Sequence, residues 1–313
     1  MIYDELTWKV KTLNDTIWER RFVWPDIQAW LDNFADDVEG APSERLHALF
    51  LLSNFTYFNP LLMRTLLRSL YRDFVQQPAL IRLRRRRKGT LDIASLEAAY
   101  KRVQRTMRFV GMGNPAESGT HLLYYFRQEN DLPTKLFVHL HELYEGTARS
   151  PKIAQGVRYV IFIDDFCGSG TQAVRYSKAH VARIKEIAPN TKLYYYCLFA
   201  TSAGLKKVRE KAKFDHAEAV CELDSSFTSL EENSRYFRHA AGADIDRTFC
   251  REMCHRYGKS LIHNDPLGFG GCQLLFGFAH NIPNNTLPIF WSDGGIARQW
   301  APLFRRYTKV FKW

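Results

Sequence analysis

The chain has 313 residues, with 44 Lys+Arg against 33 Asp+Glu and a formal charge of +11. Hydrophobic residues at 46% and charged residues at 25% exclude a wholly disordered chain, and the length gives room for one large or two smaller domains. No run approaches the roughly 20 apolar residues of a membrane helix, so no membrane partner is expected. The opening MIYDELTWKVK carries early acids and no apolar run, unlike a secretory leader. Six cysteines fall inside strand- and helix-like patterns, which predicts a reduced, cytoplasmic protein rather than a disulfide scaffold.

The charge is uneven. Residues 1–63 hold 5 basic and 10 acidic groups, whereas residues 64–110 hold 13 and 3. A local excess of this size predicts an acidic partner, nucleic acid first among them.

The first 110 residues predict helices. Trp18, Phe22, Ile27, Trp30, Leu31 and Phe34 recur at helix-like spacing, interrupted at Pro25. A second helix is expected from Ser43 to Leu52, and a third opens with Asn59 as cap and Pro60 in the first turn. In the third, Leu62, Leu66, Leu70 and Phe74 form an apolar stripe beside a basic one of Arg64, Arg68 and Arg72. A break is expected near Pro78. The run Arg84, Arg85, Arg86, Arg87 and Lys88 follows and stops at Gly89. A fourth helix is expected over 92–109, with Ile93, Leu96, Tyr100, Val103, Met107 and Val110 apolar and Lys101, Arg105 and Arg108 opposite.

Gly111-Met112-Gly113-Asn114-Pro115 marks a change of pattern. Strands are predicted at 121–127, 157–164, 193–200, 217–223, 272–279 and 286–291. Helices are predicted at 133–145, 170–187, 203–213, 244–257 and 296–306. Strand–helix alternation with continuously apolar strands predicts an α/β fold, a mostly parallel sheet with helices on both faces. The expected organisation is an N-terminal all-helical domain over 1–110, with the basic segment 64–110, and an α/β domain over 111–313.

The segment Val160-Ile161-Phe162-Ile163-Asp164-Asp165-Phe166-Cys167-Gly168-Ser169-Gly170-Thr171-Gln172 carries the most chemistry. An apolar strand ends in two acids, and a Gly/Ser/Thr turn then opens a helix. Ligands bind at the carboxyl ends of strands in open α/β sheets. Such a turn offers backbone N–H groups and a helix dipole to a phosphate. Adjacent carboxylates suit sugar hydroxyls or a hydrated Mg²⁺. Neither a Walker A loop nor a GxGxxG fingerprint is present.

This segment resembles the PRPP-binding signature of type I phosphoribosyltransferases, where PRPP is 5-phosphoribosyl 1-diphosphate. The resemblance implies that Asp164 and Asp165 hold the ribose hydroxyls, sit near Mg²⁺ and are the catalytic carboxylates. It implies that Gly168, Ser169, Gly170, Thr171 and Gln172 cradle the 5′-phosphate of PRPP or a nucleotide. The sequence departs from the pattern at Gly168, where many members place an acid, and at Gln172, where Ser or Thr is usual. Gly113–Gly119, the twin-acid loop and Pro283–Trp291 together resemble bacterial phosphoribosyltransferase-like proteins of anti-phage conflict systems, some associated with retrons. That implies an effector controlled by a partner. The alternative is a catalytically degenerate fold that binds a nucleotide or nucleic acid as a sensor or scaffold.

Other positions are weighed against simpler roles. Ser118, Gly119 and Arg127 are candidates for pyrophosphate, against a solvated turn. Arg64, Arg68, Arg72, Arg84, Arg85, Arg86, Arg87, Lys88 and Arg105 are candidates for contact with nucleic acid or a reverse transcriptase nucleoprotein, against a solvated face. Cys250, Cys254 and His255 share a helix without a second ligand pair, so core packing is expected. His139 and His141 are expected to point to different sides of a helix. Asn284-Asn285-Thr286 between two prolines reads as a rigid polar turn. The acceptor is unspecified, and a homo-oligomer is compatible with the sequence.

Overall fold

The computed structural model describes residues 2–35, 43–113, 118–147, 149–238, 244–295 and 298–306, without the side chains of 118–120, 295 and 298. In chain order the helices and strands begin with α1 Ile2–Thr16, α2 Trp24–Leu31, α3 Glu44–Ser53, β1 Thr56–Phe58 and α4 Pro60–Leu70. A π-helical turn, Tyr71–Gln76, leads into α5 Gln77–Arg86, then α6 Ile93–Gln104, β2 Met107–Gly111 and α7 Ser118–Glu129. The hairpin β3 Tyr144–Thr147 and β4 Ser150–Ile153 precedes β5 Tyr159–Cys167. Then come α8 Thr171–Tyr176, a π-helical turn Ser177–Val181, α9 Ala182–Ile187, β6 Lys192–Thr201, α10 Ser202–Lys211 and β7 His216–Leu223. The chain continues with α11 Arg247–Leu261, β8 Phe276–Phe278, β9 Gly294–Gly295 and β10 Arg298–Gln299.

The chain divides into two compact units, residues 1–63 with 224–313, and residues 64–223. This differs from the expected break between 110 and 111. The first unit closes around an aromatic core drawn from both ends of the chain. Phe55 stacks on Phe304 at 4.2 Å, and Trp30 stacks on Phe290 at 5.2 Å. The indoles of Trp30 and Trp300 both donate to the Ile289 carbonyl, at 2.8 and 3.0 Å. Parallel pairing of β1 with β8 ties the same two segments. Hydropathy spacing shows that Trp30 is inward, but not that its partner lies about 260 residues on. Cys250 and Cys254 are buried in this core, as expected for packing residues.

The second unit holds a four-stranded parallel sheet in the order β2-β5-β6-β7. On one face lies a core that includes Val160, Phe162, Val174, Val181, Ile184 and Tyr195. The expected α/β class with a parallel sheet is observed here. The strand and helix pattern from 157 to 223 follows the prediction closely, because central strands and their crossover helices are strongly patterned.

Several predicted elements differ. Residues 121–127 are helical within α7, with Leu122 and Phe126 buried one turn apart and Tyr124 exposed. A short apolar run does not separate buried strand from buried helix. The expected helix at 133–145 is two short 3₁₀ turns followed by β3. The fourth helix ends at Gln104, and Met107–Gly111 instead forms the strand that pairs with β5. Only Phe276–Phe278 of 272–279 is a strand, 288–290 is a 3₁₀ turn, and 298–306 contains no helix. Trp300, Leu303 and Phe304 are buried there as a packed irregular segment. The chain stays helical through Pro78, in the first turn of α5 after the π-helical turn, where widened bonding accommodates a residue without N–H. In α4 the buried positions are Met63, Leu67 and Leu70 rather than Leu62 and Leu66. Asn59 does cap α4, its Oδ1 accepting from the Leu62 N–H at 2.9 Å.

Candidate active site

The carboxyl end of β5 carries the twin acids. Val160 to Ile163 are buried, so the strand reaches Asp164 through a dry sheet. Asp164 Oδ1 accepts from the Asp165 N–H at 3.0 Å, and Oδ2 accepts from the Tyr195 hydroxyl at 2.8 Å. Asp165 Oδ1 accepts from the Phe166 N–H at 2.7 Å. Burial, and then the charge of Asp165, push the Asp164 carboxyl well above the ordinary carboxylate range, against the pull of the Tyr195 hydrogen bond. Asp164 therefore holds its proton to higher pH than an ordinary carboxyl does.

The loop after β5 is built by backbone contact. Gly170 has φ +69°, a left-handed conformation that glycine adopts without strain, and it caps α8. A Cβ there would lie 2.5 Å from the Gly204 carbonyl oxygen, and a Cβ on Gly204 would lie 1.9 Å from that of Gly168. Two segments thus touch main chain to main chain. Thr201 locks the contact, its Oγ1 donating to the Gly168 carbonyl at 2.6 Å and accepting from the Gly204 N–H at 3.0 Å.

Polar groups gather on the open side. Ser169 Oγ donates to Thr171 Oγ1 at 3.0 Å and accepts from the Thr171 N–H at 3.4 Å. Lys207 Nζ, from α10, donates to Thr171 Oγ1 at 2.8 Å. Two hydroxyls, an ammonium and the start of a helix that runs on from α8 to α9 meet here, a set of groups able to hold an anion. Gln172 is exposed in the first turn of α8.

Tyr195, Thr201, Gly204 and Lys207 escape sequence reasoning about the loop. They belong to β6 and α10 and reach the site only through parallel pairing of β5 with β6, Asp164 opposite Cys197. Thr201 and Gly204 between a strand and a helix are a capping signal that could have been found.

The other candidates are dispersed. Met112 N–H donates to the Ile163 carbonyl at 2.9 Å, so the chain leaving β2 starts beside the twin acids. Residues 114–117 lie outside the described residues. Ser118 and Gly119 open α7, while Arg127 sits in its last turn. The Arg64 guanidinium bonds Glu129 at 2.8 Å and covers the Tyr125 ring at 4.3 Å, and Arg68 lies 3.8 Å from Glu129. Arg72 pairs with Asp73. Arg84 donates to the Gly89 carbonyl at 3.3 Å, and Arg87 to the Ser95 carbonyl at 3.1 Å. Arg85, Arg86, Lys88 and Arg105 are exposed. Asn285 and Thr286 are buried and bonded within their own unit, to the Phe269 and Phe276 carbonyls. His139 and His141 are not on opposite sides of a helix; their rings stack at 5.7 Å, 8° from parallel. Among the described residues no group of three His, Cys, Asp or Glu side chains is placed to hold a metal. No helix among them is long and apolar enough to cross a membrane.

An apolar parallel strand ending in paired acids, a backbone-packed glycine loop and a cationic cradle define a phosphoribosyltransferase-like protein. The PRTase-CE family profile matches residues 27–306, and the chain belongs to that family. Among solved structures it is similar to the xanthine-guanine-hypoxanthine phosphoribosyltransferase of Helicobacter pylori, at 12% identity over 54% of this chain and 86% of that one, TM-score 0.30. It is similar to the AQ2163 protein of Aquifex aeolicus, at 11% identity over 65% and 86%, TM-score 0.29. A third similarity is to the orotate phosphoribosyltransferase of Aeropyrum pernix, at 13% identity over 44% and 76%, TM-score 0.22. No curated protein matches the sequence.

Proposed function

We propose that the loop after β5 binds PRPP or a 5′-phosphorylated nucleotide and that the protein transfers the ribosyl unit at its anomeric carbon. The observation that carries this is the succession of strand, twin acids and backbone-packed loop with Ser169, Thr171 and Lys207 converging on one spot. The two hydroxyls, the Lys207 ammonium and the amides opening α8 hold the 5′-phosphate. Asp164 and Asp165 accept from the ribose hydroxyls, with Tyr195 orienting Asp164. Their carboxylate charge also stabilises the positive charge that develops on the ribose ring as the bond to the leaving group breaks.

The donor set fits Mg²⁺: two hard carboxylates, half-buried at the carboxyl end of β5, with waters and substrate oxygens to complete the shell. When bound, the ion neutralises charge on the substrate oxygens. The basic α5 and α6 region is the proposed surface for a nucleic acid or nucleoprotein partner. Resemblance to conflict-system proteins supports an anti-phage effector role under that partner's control.

The test is thermal unfolding and calorimetry with PRPP and Mg²⁺. PRPP should raise the melting temperature, since a ligand of the folded state alone stabilises it. Asp164→Asn with Asp165→Asn should abolish the rise while the protein stays folded. Equal binding by that variant rejects the assignment. A second reading is binding without transfer, favoured by Gly168 at the position where relatives place an acid. Release of diphosphate, followed by ³¹P NMR with candidate bases, nucleotides and RNA ends, separates the two.

A further inference from the structure

The second unit contains an open cavity of about 940 Å³, at the upper end of the roughly 300–1,000 Å³ of small-molecule pockets. It lies between α7, the segment 137–141, the β3–β4 hairpin and the helix running from α8 to α9. None of its lining residues belongs to the stretch 164–172.

The lining has a clear chemical character. Arg127 and Arg183 line it, and among the described lining residues there is no Asp or Glu. A concave surface that carries two arginines favours an anion. Aliphatic residues such as Leu123, Val138 and Pro151 share the rest of the wall with several rings. His139 and His141 form a parallel pair, and Tyr176 packs its ring on His180 at 4.6 Å. Tyr124 and Tyr144 add two more rings to the lining. Aromatic and imidazole faces stack on a flat heterocycle, and a guanidinium such as that of Arg183 suits a phosphate. Burial keeps the Tyr176 hydroxyl protonated, pushed up to about 12, so that it serves as a neutral donor.

We infer that this cavity is a second nucleotide-binding site, taking a nucleobase between its ring faces and a phosphate at Arg183 and His180. The site is separate from the twin-acid loop but mechanically joined to it. Gly111, which lines the cavity, pairs with Ile163, the residue before Asp164. Tyr176 ends the helix whose first residue, Thr171, belongs to the proposed phosphate cradle.

The test uses the full chain and calorimetric titration with AMP, GMP, CMP and UMP, with ribose 5-phosphate as the baseless control. The Asp164→Asn, Asp165→Asn variant removes the ribose contacts of the loop, and the cavity substitutions made in that background then report which site a nucleotide occupies. At least one of the four nucleotides should bind this variant, and ribose 5-phosphate should bind about tenfold or more weakly. Adding His180→Gln with Arg183→Gln should raise that dissociation constant about tenfold or more, the loss expected when charge-assisted hydrogen bonds go. If this variant melts early, Tyr124→Ala, an exposed ring, replaces it. Absence of nucleotide binding in the twin-Asn background, or binding indifferent to the cavity substitutions, overturns the inference. Neither outcome depends on whether PRPP binds the loop.

Discussion

Gly204→Ala tests the backbone contact that shapes the loop after β5, the proposed phosphate site. Helix propensity alone favours the change, by up to about 1 kcal/mol, because Gly204 lies in the first turn of α10. The structure opposes it. The new Cβ would lie 1.9 Å from the Gly168 oxygen and 2.9 Å from its carbonyl carbon, where ordinary contact begins near 3.4 Å. Both obstacles are backbone, so the loop must move by roughly 1.5 Å, an overpacking of about 1–3 kcal/mol. The clash outweighs the propensity, leaving a net loss of about 1–2 kcal/mol and a melting temperature lower by about 2–6 °C. Displacement beyond the roughly 0.5 Å tolerated by a preorganised site should weaken PRPP binding at least about tenfold. Differential scanning calorimetry reads the first effect and titration the second. A variant as stable as the parent, with unchanged PRPP affinity, refutes the main-chain contact.

Asp164→Asn should change how stability depends on pH. The folded carboxyl titrates above its unfolded value, so its contribution is complete below the unfolded value and is lost as pH rises through the folded one. The variant should lack that decline and melt higher than the parent at about pH 8–9; parallel curves contradict the buried carboxyl pair. Under the proposed assignment ribose or Mg²⁺ binding favours the ionised pair, so PRPP binding should release a proton, visible as a heat that varies with the buffer. Lys207→Met keeps the apolar stem, so it should leave stability within about 0.5 kcal/mol yet weaken PRPP about tenfold; unaltered affinity removes Lys207 from the cradle. Arg85→Gln with Arg86→Gln leaves the Arg84 and Arg87 hydrogen bonds in place, so it should not alter melting. On single-stranded RNA or DNA it should flatten the salt dependence by about 0.7 for each phosphate that is no longer neutralised; an identical slope dissociates these arginines from nucleic acid.

The local order of the site was legible in the sequence. An apolar run, two acids and a Gly-Ser-Gly-Thr turn must form a strand, a loop and a helix start, because hydropathy period and glycine chemistry act over a few residues. The same holds for the Asn59 cap and the β5-to-β7 alternation. Partnerships across the chain were decided only by tertiary structure. Tyr195 and Lys207 carry no mark of their role, since parallel pairing with β5 and the close approach at Gly204 bring them to the loop. Residues 107–109, expected as helix, are strand and residues 121–127, expected as strand, are helix, because short apolar stretches take whichever form their neighbours bury. The first 63 residues pack with the last 90 because large aromatic rings from both ends fill one core. Hydropathy marks such rings as buried, and only three-dimensional packing selects the partners that bury them.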